Sequence, residues 1–309
     1  MHNRRKFIRN SGALLFGSAV LGSNAKAFFR PVSPDHPVGL QLFTLFPKMD
    51  DDVEGSLKKI AAIGYKEIES AYSMKPGYYG MKPKEFKTFL EGLDLTWTSH
   101  HVLGAPFKMP ANAKPMTDAN GKPIAFPKLR NLKENSQELV DEIAEAGVPY
   151  MVCANTPFES AVELKASIAT LNKAGEACKK AGIQFCYHNH HKEFEKLGGK
   201  VIYDTMLSDL DPNNVKMELD LCWVTKAGID PVALFKKHPG RFPLWHVKDL
   251  NKDKSGPVPV GEGIVDFKSI FTNADASGMK HFFVEHDMPA DAYASITTSY
   301  NNVEKILKV

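Results

Sequence analysis

Short runs rich in β-branched and aromatic residues alternate along the chain with longer amphipathic stretches, a pattern that predicts repeated strand–helix units. The run at 38–46 precedes the amphipathic stretch at 53–64, and the run at 65–71 precedes another at 83–93. Gly147 closes a third stretch, as a glycine does where a helix stops before the next strand. Eight strands are predicted in this way, at 38–46, 65–71, 95–102, 148–155, 182–190, 215–223, 242–250 and 281–287.

Eight strand–helix units in a chain of this length predict a single-domain α/β fold, the (β/α)8 TIM barrel. The alternative is a doubly wound open sheet, which usually carries a glycine-rich phosphate loop after its first strand. No such loop follows the run at 38–46. We therefore expect the barrel.

The first 27 residues have the features of an export signal rather than of a folded domain. Arg4 and Arg5 precede an apolar run, and Ala25, Lys26 and Ala27 form a small-x-small cleavage site. The paired arginines resemble the twin-arginine consensus, and the run is shorter than the roughly 20 residues of a membrane span. We expect a twin-arginine-type signal at 1–27, a barrel domain at 28–309 without an integral membrane segment, and a periplasmic location.

The charge balance changes when the signal is set aside. The whole chain carries 39 basic and 36 acidic side chains, a formal net charge of +3, but five of the basic ones lie in residues 1–27. The remaining chain has 34 basic and 36 acidic side chains, a formal net charge of −2. Nucleic acid favours clustered Lys and Arg, so we expect no nucleic-acid partner, and a DNA-repair endonuclease is disfavoured.

Polar residues end four consecutive predicted strands, the fifth to the eighth. Active sites of TIM barrels lie at the C-terminal ends of the strands. Side chains alternate faces with period two, so the two histidines of the fifth strand share a face, as do the two acidic residues of the sixth. We therefore expect imidazoles and carboxylates from four strands at one rim. These residues are His188, His190, Glu218, Asp220, His246 and Glu285.

Motifs at these strands resemble those of the xylose-isomerase-like TIM barrels called sugar phosphate isomerases/epimerases. The relatives of that family include ketose 3-epimerases, inosose dehydratases and 3-keto-sugar lyases and hydratases. The resemblance covers roughly residues 38–305 and implies the TIM-barrel fold. The motifs are GLQLFT at the first strand, YHNH at the fifth, MELDLCW at the sixth, LWHVKD at the seventh, VGEGIVDF after it and FFVEHD at the eighth.

The resemblance implies one divalent metal held at the ends of strands five to eight. The matching positions are His188, Asp220, His246 and Glu285, with His190 as the alternative ligand on the fifth strand. Such a mixed set of nitrogen and oxygen donors suits Mn, Zn, Co or Fe better than Mg. It would polarise a sugar carbonyl and stabilise the enediolate that forms when the neighbouring proton leaves.

This sequence departs from the ketose epimerases at two positions. Their fifth-strand ligand is a glutamate that also acts as a base, whereas His188 stands here, which disfavours epimerisation by two carboxylates. They also carry a histidine three residues after the sixth-strand aspartate, whereas Trp223 stands here, so we expect different substrate contacts. An indole can stack on a sugar face, and it can equally belong to the core.

Candidate catalytic and substrate-binding residues follow from the same strand ends. We expect Glu285 as the base and His190, Glu218 or Lys248 as the second proton-transfer group. Of the adjacent histidines of the third strand only one can point inward, and Glu193 is expected at the surface. The candidates for substrate binding are Gln41, Glu69, His100, His101, Trp223 and Glu262.

Three functions remain open for such a barrel. The first is a divalent-metal-dependent isomerase or epimerase that acts on a non-phosphorylated sugar or keto-sugar through an enediolate. The second is a metal-dependent lyase or hydratase acting on 3-keto-sugars or inosose-like polyols, which export and the altered fifth strand favour. The third is a periplasmic sugar-binding protein without catalysis, which a single barrel without two lobes disfavours. The expected partner is a small sugar or polyol, and a homo-oligomer is compatible with each function.

Overall fold

A computed structural model describes residues 32–108 and 128–308, and within them eight parallel strands close into a barrel. Each strand pairs with its neighbours in sequence, and the last strand closes the barrel against the first. The predicted fold is confirmed. The strands are β1 (Gly39–Gln41), β2 (Glu67–Ser70), β3 (Thr96–Leu103), β4 (Tyr150–Asn155), β5 (Gln184–His188), β6 (Val215–Asp220), β7 (Leu244–Val247) and β8 (His281–Val284).

A helix follows each strand and covers the outside of the barrel. These helices are α1 (Val53–Ile63), α2 (Pro83–Glu91), α3 (Leu132–Ala146), α4 (Ala161–Lys180), α5 (Ile202–Asp209), α6 (Pro231–Lys237), α7 (Phe267–Thr272) and α8 (Ala292–Leu307). Additional helical segments occupy Leu42–Leu45, Lys48–Asp51, Lys192–Phe194, Leu221–Lys226 and Ala274–Ser277. Two antiparallel pairs of two-residue strands join Lys196–Leu197 to Lys200–Val201 and Asp249–Leu250 to Pro257–Val258.

Side-chain caps define where the helices begin. Asn131 accepts a hydrogen bond from the backbone N–H of Glu134 at the start of α3, and Ser160 accepts one from Glu163 at the start of α4. Such caps satisfy N–H groups that have no partner within the helix. Gly147 ends α3 in the left-handed conformation, as its position in the sequence predicts.

Several strands are shorter than their apolar runs. The run at 38–46 is a strand only to Gln41, and a 3₁₀ helix takes over from Leu42. β5 ends at His188, so His190 lies beyond the strand instead of ending it. β6 ends at Asp220, whose Oδ1 accepts the N–H of Trp223 and starts the short helix Leu221–Lys226. The predicted alternation on β6 is unaffected, because Glu218 and Asp220 are both strand residues.

The apolar core has an outer layer and a small inner cluster. Most buried apolar side chains lie between the strands and the helices. The inner cluster consists of Val152, Cys186, Leu244 and Phe283, from strands β4, β5, β7 and β8. The polar centre described below comes from the other end of these strands, as the C-terminal rim of a barrel does.

In the described part of the chain, no helix combines the length and the apolar character needed to cross a bilayer. The predicted signal at 1–27 lies outside the described residues, so the export signal and the periplasmic location stay predictions.

Candidate metal centre

Four residues from the ends of β5 to β8 bring their donor atoms together inside the barrel. One nitrogen or oxygen atom of each lies within 4.8 Å of the others, and all four side chains are buried. The four residues are His188, Asp220, His246 and Glu285, the ligand set that the resemblance implies. We call them the upper group.

A second group shares two histidines with the upper group and reaches across to β3. It adds His101 and Glu218, whose Nε2 and Oε2 atoms lie 2.7 Å apart. Glu218 Oε2 is also 3.1 Å from His188 Nδ1. Glu69 of β2 joins the network, because its Oε1 is 2.6 Å from His246 Nε2. Direct hydrogen bonds therefore hold this second group together. We call the second group and Glu69 together the lower network.

Two carboxylate oxygens in this centre are buried without a hydrogen bond from the described residues. They are Oδ2 of Asp220 and Oε1 of Glu218. Asp220 Oδ2 has an ion-pair contact with Lys248 Nζ at 3.0 Å, and burial raises the pKa of Asp220. A buried carboxylate oxygen without a hydrogen bond is costly, and a cation offsets that cost. The mixed imidazole and carboxylate donors of the upper group, together with Asp220 Oδ2, suggest a divalent metal there.

The pKa values of the two histidines in the upper group shift in opposite directions. Burial and the neighbouring His246 lower the pKa of His188 well below its usual value, so its ring is neutral, the form that binds a metal. Burial opposes a charge on His246 too, but the carboxylates of Glu218 and Glu285 outweigh it and raise its pKa, so a metal bound there would replace its proton. Burial likewise opposes the charge of Glu285, yet Lys248 and His246 hold its pKa well below the usual range.

The lower network holds a charged imidazole between two carboxylates. Burial disfavours a charge on His101, but Glu69 and Glu218 raise its pKa to about 9. Burial and the charge of Glu69 raise the pKa of Glu218 to about 7. Glu69 is held in place by Gln41 Nε2, which donates to its Oε1 at 2.7 Å, and by Ser99 Oγ, which donates to its Oε2 at 2.5 Å.

Lys248 is a buried cation that faces three carboxylates at the end of β7. Its Nζ forms ion pairs with Asp220, Glu285 and Asp287 and lies 5.2 Å from the ring centroid of Trp223. Burial opposes its charge, but these carboxylates raise its pKa well above the usual value. Lys248 therefore stabilises negative charge here and is a poor proton acceptor.

A cavity of about 140 Å³ opens next to the upper group, and we call it the inner chamber. His188 and Glu285 line it, together with His190 from the segment after β5. The side chain of His190 is 43% exposed, and its ion-pair contact among the described residues is Glu193, with Nδ1 3.8 Å from Oε1. His190 thus combines access to the inner chamber with access to solvent.

Several predicted substrate contacts lie away from the inner chamber. Glu262 is exposed in the loop after β7 and lines neither this chamber nor the neighbouring cavity described below, and its role in substrate binding stays a prediction. Gln41 and Glu69 are fully buried within the lower network, and Trp223 packs against the ring of His191. His100 points away from the lower network, so His101 is the inward-facing histidine of β3.

Several residues of the site were not predicted from the sequence. Asp287 lines the inner chamber and contacts Lys248, and its position two residues after Glu285 was a usable signal because such residues share a face. Tyr72 also lines the chamber, and nothing in its local sequence marks it. Glu193 is buried, not at the surface as expected, because the 3₁₀ helix Lys192–Phe194 turns it inward to accept a hydrogen bond from Tyr187 Oη at 2.8 Å.

A closed parallel barrel with histidines and carboxylates at the C-terminal ends of its strands is the architecture of a TIM-barrel enzyme. The chain matches the family described as the xylose isomerase-like TIM barrel over residues 57–301, and it belongs to that family. The predicted family is confirmed. The relatives include isomerases, epimerases and dehydratases, so an enzyme of one of these types is supported.

The chain is similar to proteins with different names within this fold. An inosose dehydratase of Lacticaseibacillus casei is 24% identical over 259 residues, which are 75% of this chain and 81% of that protein. A solved sugar phosphate isomerase/epimerase from Parabacteroides distasonis has a TM-score of 0.69 at 27% identity, covering 91% of this chain and 96% of its own. A xylose isomerase-like TIM-barrel protein from Mycobacterium smegmatis, solved in complex with magnesium, has a TM-score of 0.62 at 16% identity. The match covers 90% of this chain and 97% of that protein.

Proposed function

We propose that this protein is a metal-dependent dehydratase that eliminates water from a non-phosphorylated keto-sugar or keto-polyol. The observation that carries the proposal is the state of His190, a half-exposed imidazole on the wall of the inner chamber. The similarity to an inosose dehydratase supports this reaction class. The export signal expected at 1–27 supports a non-phosphorylated substrate, because phosphorylated sugars are mainly intracellular.

His190 is the best-placed acid–base group of the chamber. Glu285, the base expected from the sequence, is paired with Lys248 and His246, which keep its pKa low and make it a weak proton acceptor. Lys248 is a poor acceptor as well, because its pKa is raised. Imidazole is the side chain most often used as a general acid–base, and His190 is the half-exposed imidazole on the wall of the chamber.

One such group is sufficient for elimination. His190 would take the proton from the carbon next to the carbonyl, and the electron pair of that C–H bond would form the enolate. The enolate would then expel the hydroxyl of the neighbouring carbon, to which the imidazolium returns the same proton, so that water leaves and no proton is gained or lost. Epimerisation instead requires protons to leave and return on opposite faces of one carbon.

The metal would be held by His188, Asp220, His246 and Glu285, whose geometry and donor types fit a divalent ion. When bound, it supplies Lewis-acid polarisation of the carbonyl. We propose Mn, Zn, Co or Fe on the basis of the two imidazole donors, although magnesium is present in one relative. Lys248, which pairs with Asp220, Glu285 and Asp287, would hold these carboxylates in place beside the metal.

A second candidate, isomerisation or epimerisation, is favoured by the name of the Parabacteroides distasonis neighbour. The experiment that separates the candidates is incubation with inososes and keto-sugars in D₂O, followed by mass spectrometry. Elimination yields a product lighter by one water, whereas isomerisation or epimerisation yields the substrate mass with added deuterium.

The residue assignment is tested with His190→Ala in the same assay. We expect a loss of at least about 100-fold in turnover, the lower range for removal of a general acid–base. His191→Ala is the matched control, because His191 is the adjacent histidine but does not line the inner chamber. Full activity in His190→Ala, or equal losses in both variants, would rule out His190 as the acid–base group.

A further inference from the structure

A second cavity of about 330 Å³ adjoins the inner chamber, and we call it the outer chamber. Its walls come from the segment after β2 and from Lys128–Arg130. The two chambers share a wall that includes Tyr72 and His101. The outer chamber contains none of the residues of the upper group, so the reacting carbon of a substrate does not lie there.

The sizes of the chambers suggest a division of the substrate into two parts. Ligand pockets usually measure about 300–1,000 Å³, and the inner chamber is below that range whereas the outer chamber is within it. The inner chamber is thus suited to one small ring next to the metal centre. A larger space that shares lining residues with it and has no residue of the upper group is suited to a part of the substrate that does not react.

The charges around the outer chamber favour a neutral occupant. Arg130 forms ion pairs with Glu138 at 3.0 Å and with Glu142 at 2.6 Å, and Lys128 pairs with Glu134 at 3.1 Å. These cations are already neutralised by carboxylates. The remaining lysine on the wall, Lys75, is exposed, where water and salt weaken its attraction for an anion.

Two aromatic rings line the inner chamber, where the reacting sugar would bind. The rings of Phe43 and Tyr72 both line it and lie 5.7 Å apart between centroids. Tyr72 also lines the outer chamber. Aromatic faces of this kind pack on the apolar faces of sugar rings while the phenol keeps a polar end. Tyr72 therefore sits where two linked rings would both contact it.

We infer that the substrate of the proposed reaction is a glycoside, a sugar joined through an oxygen to a second, uncharged ring. The sugar that reacts would occupy the inner chamber, and the second ring would occupy the outer chamber. This inference rests on the proposed function for the identity of the reacting sugar. The outer chamber, however, binds its ring whether or not the metal centre turns over.

The test compares binding of D-glucose with binding of phenyl glucosides of both anomers, measured by saturation-transfer NMR titration of the full chain. We expect one phenyl glucoside to bind at least about tenfold more tightly than glucose, a difference of about 1.4 kcal/mol. Saturation should reach the phenyl protons. Met74→Trp fills the outer chamber without altering a residue of the inner one, and it should abolish that advantage.

Val162→Trp provides the matched control, because Val162 is 80% exposed on α4 and lines neither chamber. It should leave the preference for the phenyl glucoside unchanged. Equal affinity for glucose and both glucosides, or an advantage that survives in Met74→Trp, would overturn the inference. Because this measurement needs no turnover, its failure is distinct from a failure of the proposed dehydration, which the mass-spectrometric assay reports.

Discussion

The two adjacent histidines of β3 occupy opposite environments. His101 points into the barrel, where Glu69 and Glu218 outweigh the effect of burial and raise its pKa to about 9. His100 points into the layer between strands and helices, where Nδ1 lies 2.8 Å from Ser70 Oγ. Burial and the nearby charge of His101 lower the pKa of His100 to about 3. At neutral pH one imidazole is charged and the other is not.

The difference shows how one strand serves two purposes. On the outer face, His100 packs edge-on against Tyr78, with ring centroids 4.9 Å apart, in a layer that offers it a hydroxyl but no carboxylate contact. On the inner face, His101 is one of several ionisable groups that neutralise one another around the metal centre. Substitutions on the two faces should therefore have effects that differ in their pH dependence as well as in their size.

The largest expected effect concerns the inner face and its metal. Asp220→Ala removes a carboxylate from the upper group, and we expect metal affinity to fall by more than about 100-fold, the upper range for residues that only support a ligand. Elemental analysis of dialysed protein measures this. The starting protein should hold about one equivalent of a divalent metal, and the variant almost none.

His100→Gln is the control for that measurement, because His100 lies on the other face of β3 and contacts no residue of the upper group. It should retain the full metal content. If Asp220→Ala kept its metal, or if the unsubstituted protein held none, the upper group would not be a metal site.

Period-two alternation predicted that only one histidine of β3 points inward, but it could not predict which one. The register of β3 decides this, because it shifts against β2 between Ile68 and Glu69, which pair with Trp97 and Ser99 and leave Thr98 unpaired. An extra residue in a strand reverses the face of the sheet toward which every following side chain points. Such an irregularity depends on contacts between strands that are far apart in the chain.

Loops were predicted less well than strand ends. The four residues of the upper group follow from strand ends and meet as the resemblance implied. Glu262 lies in the loop after β7 rather than at a strand end, and this loop is fixed by Asp249, whose carboxylate accepts the N–H groups of Gly261, Gly263 and Val265. These glycines hold the loop in shape. Their pattern in the sequence therefore reflects these backbone hydrogen bonds.

A smaller but still large effect is expected for His101→Gln in protein treated with a chelator. The substitution removes one of the two imidazole cations, His101 and His246, that contact both Glu69 and Glu218, which should cost about 3 kcal/mol of unfolding free energy. The folded pKa of about 9 exceeds the usual 6.5. The contribution of protonated His101 is therefore complete below pH 6.5 and is lost as the pH rises through 9.

Urea unfolding at several pH values measures this contribution. The stability difference between the unsubstituted protein and His101→Gln should be largest near pH 6 and should shrink as the pH approaches 9. A difference that stayed constant over that interval would mean that the two carboxylates do not hold His101 in its charged form.

The smallest of the three effects, and the opposite pH dependence, is expected for His100→Gln. At neutral pH it should cost about 1–3 kcal/mol, because Ser70 loses a partner and packing against Tyr78 changes. The folded pKa of about 3 is below the usual 6.5, so the contribution of neutral His100 is complete above pH 6.5 and is lost as the pH falls toward 3. In urea unfolding the difference from the unsubstituted protein should therefore shrink on acidification, whereas that for His101→Gln shrinks on the alkaline side. If the stability difference of both variants shrank as the pH changed in the same direction, the two faces of β3 would not differ in charge as described.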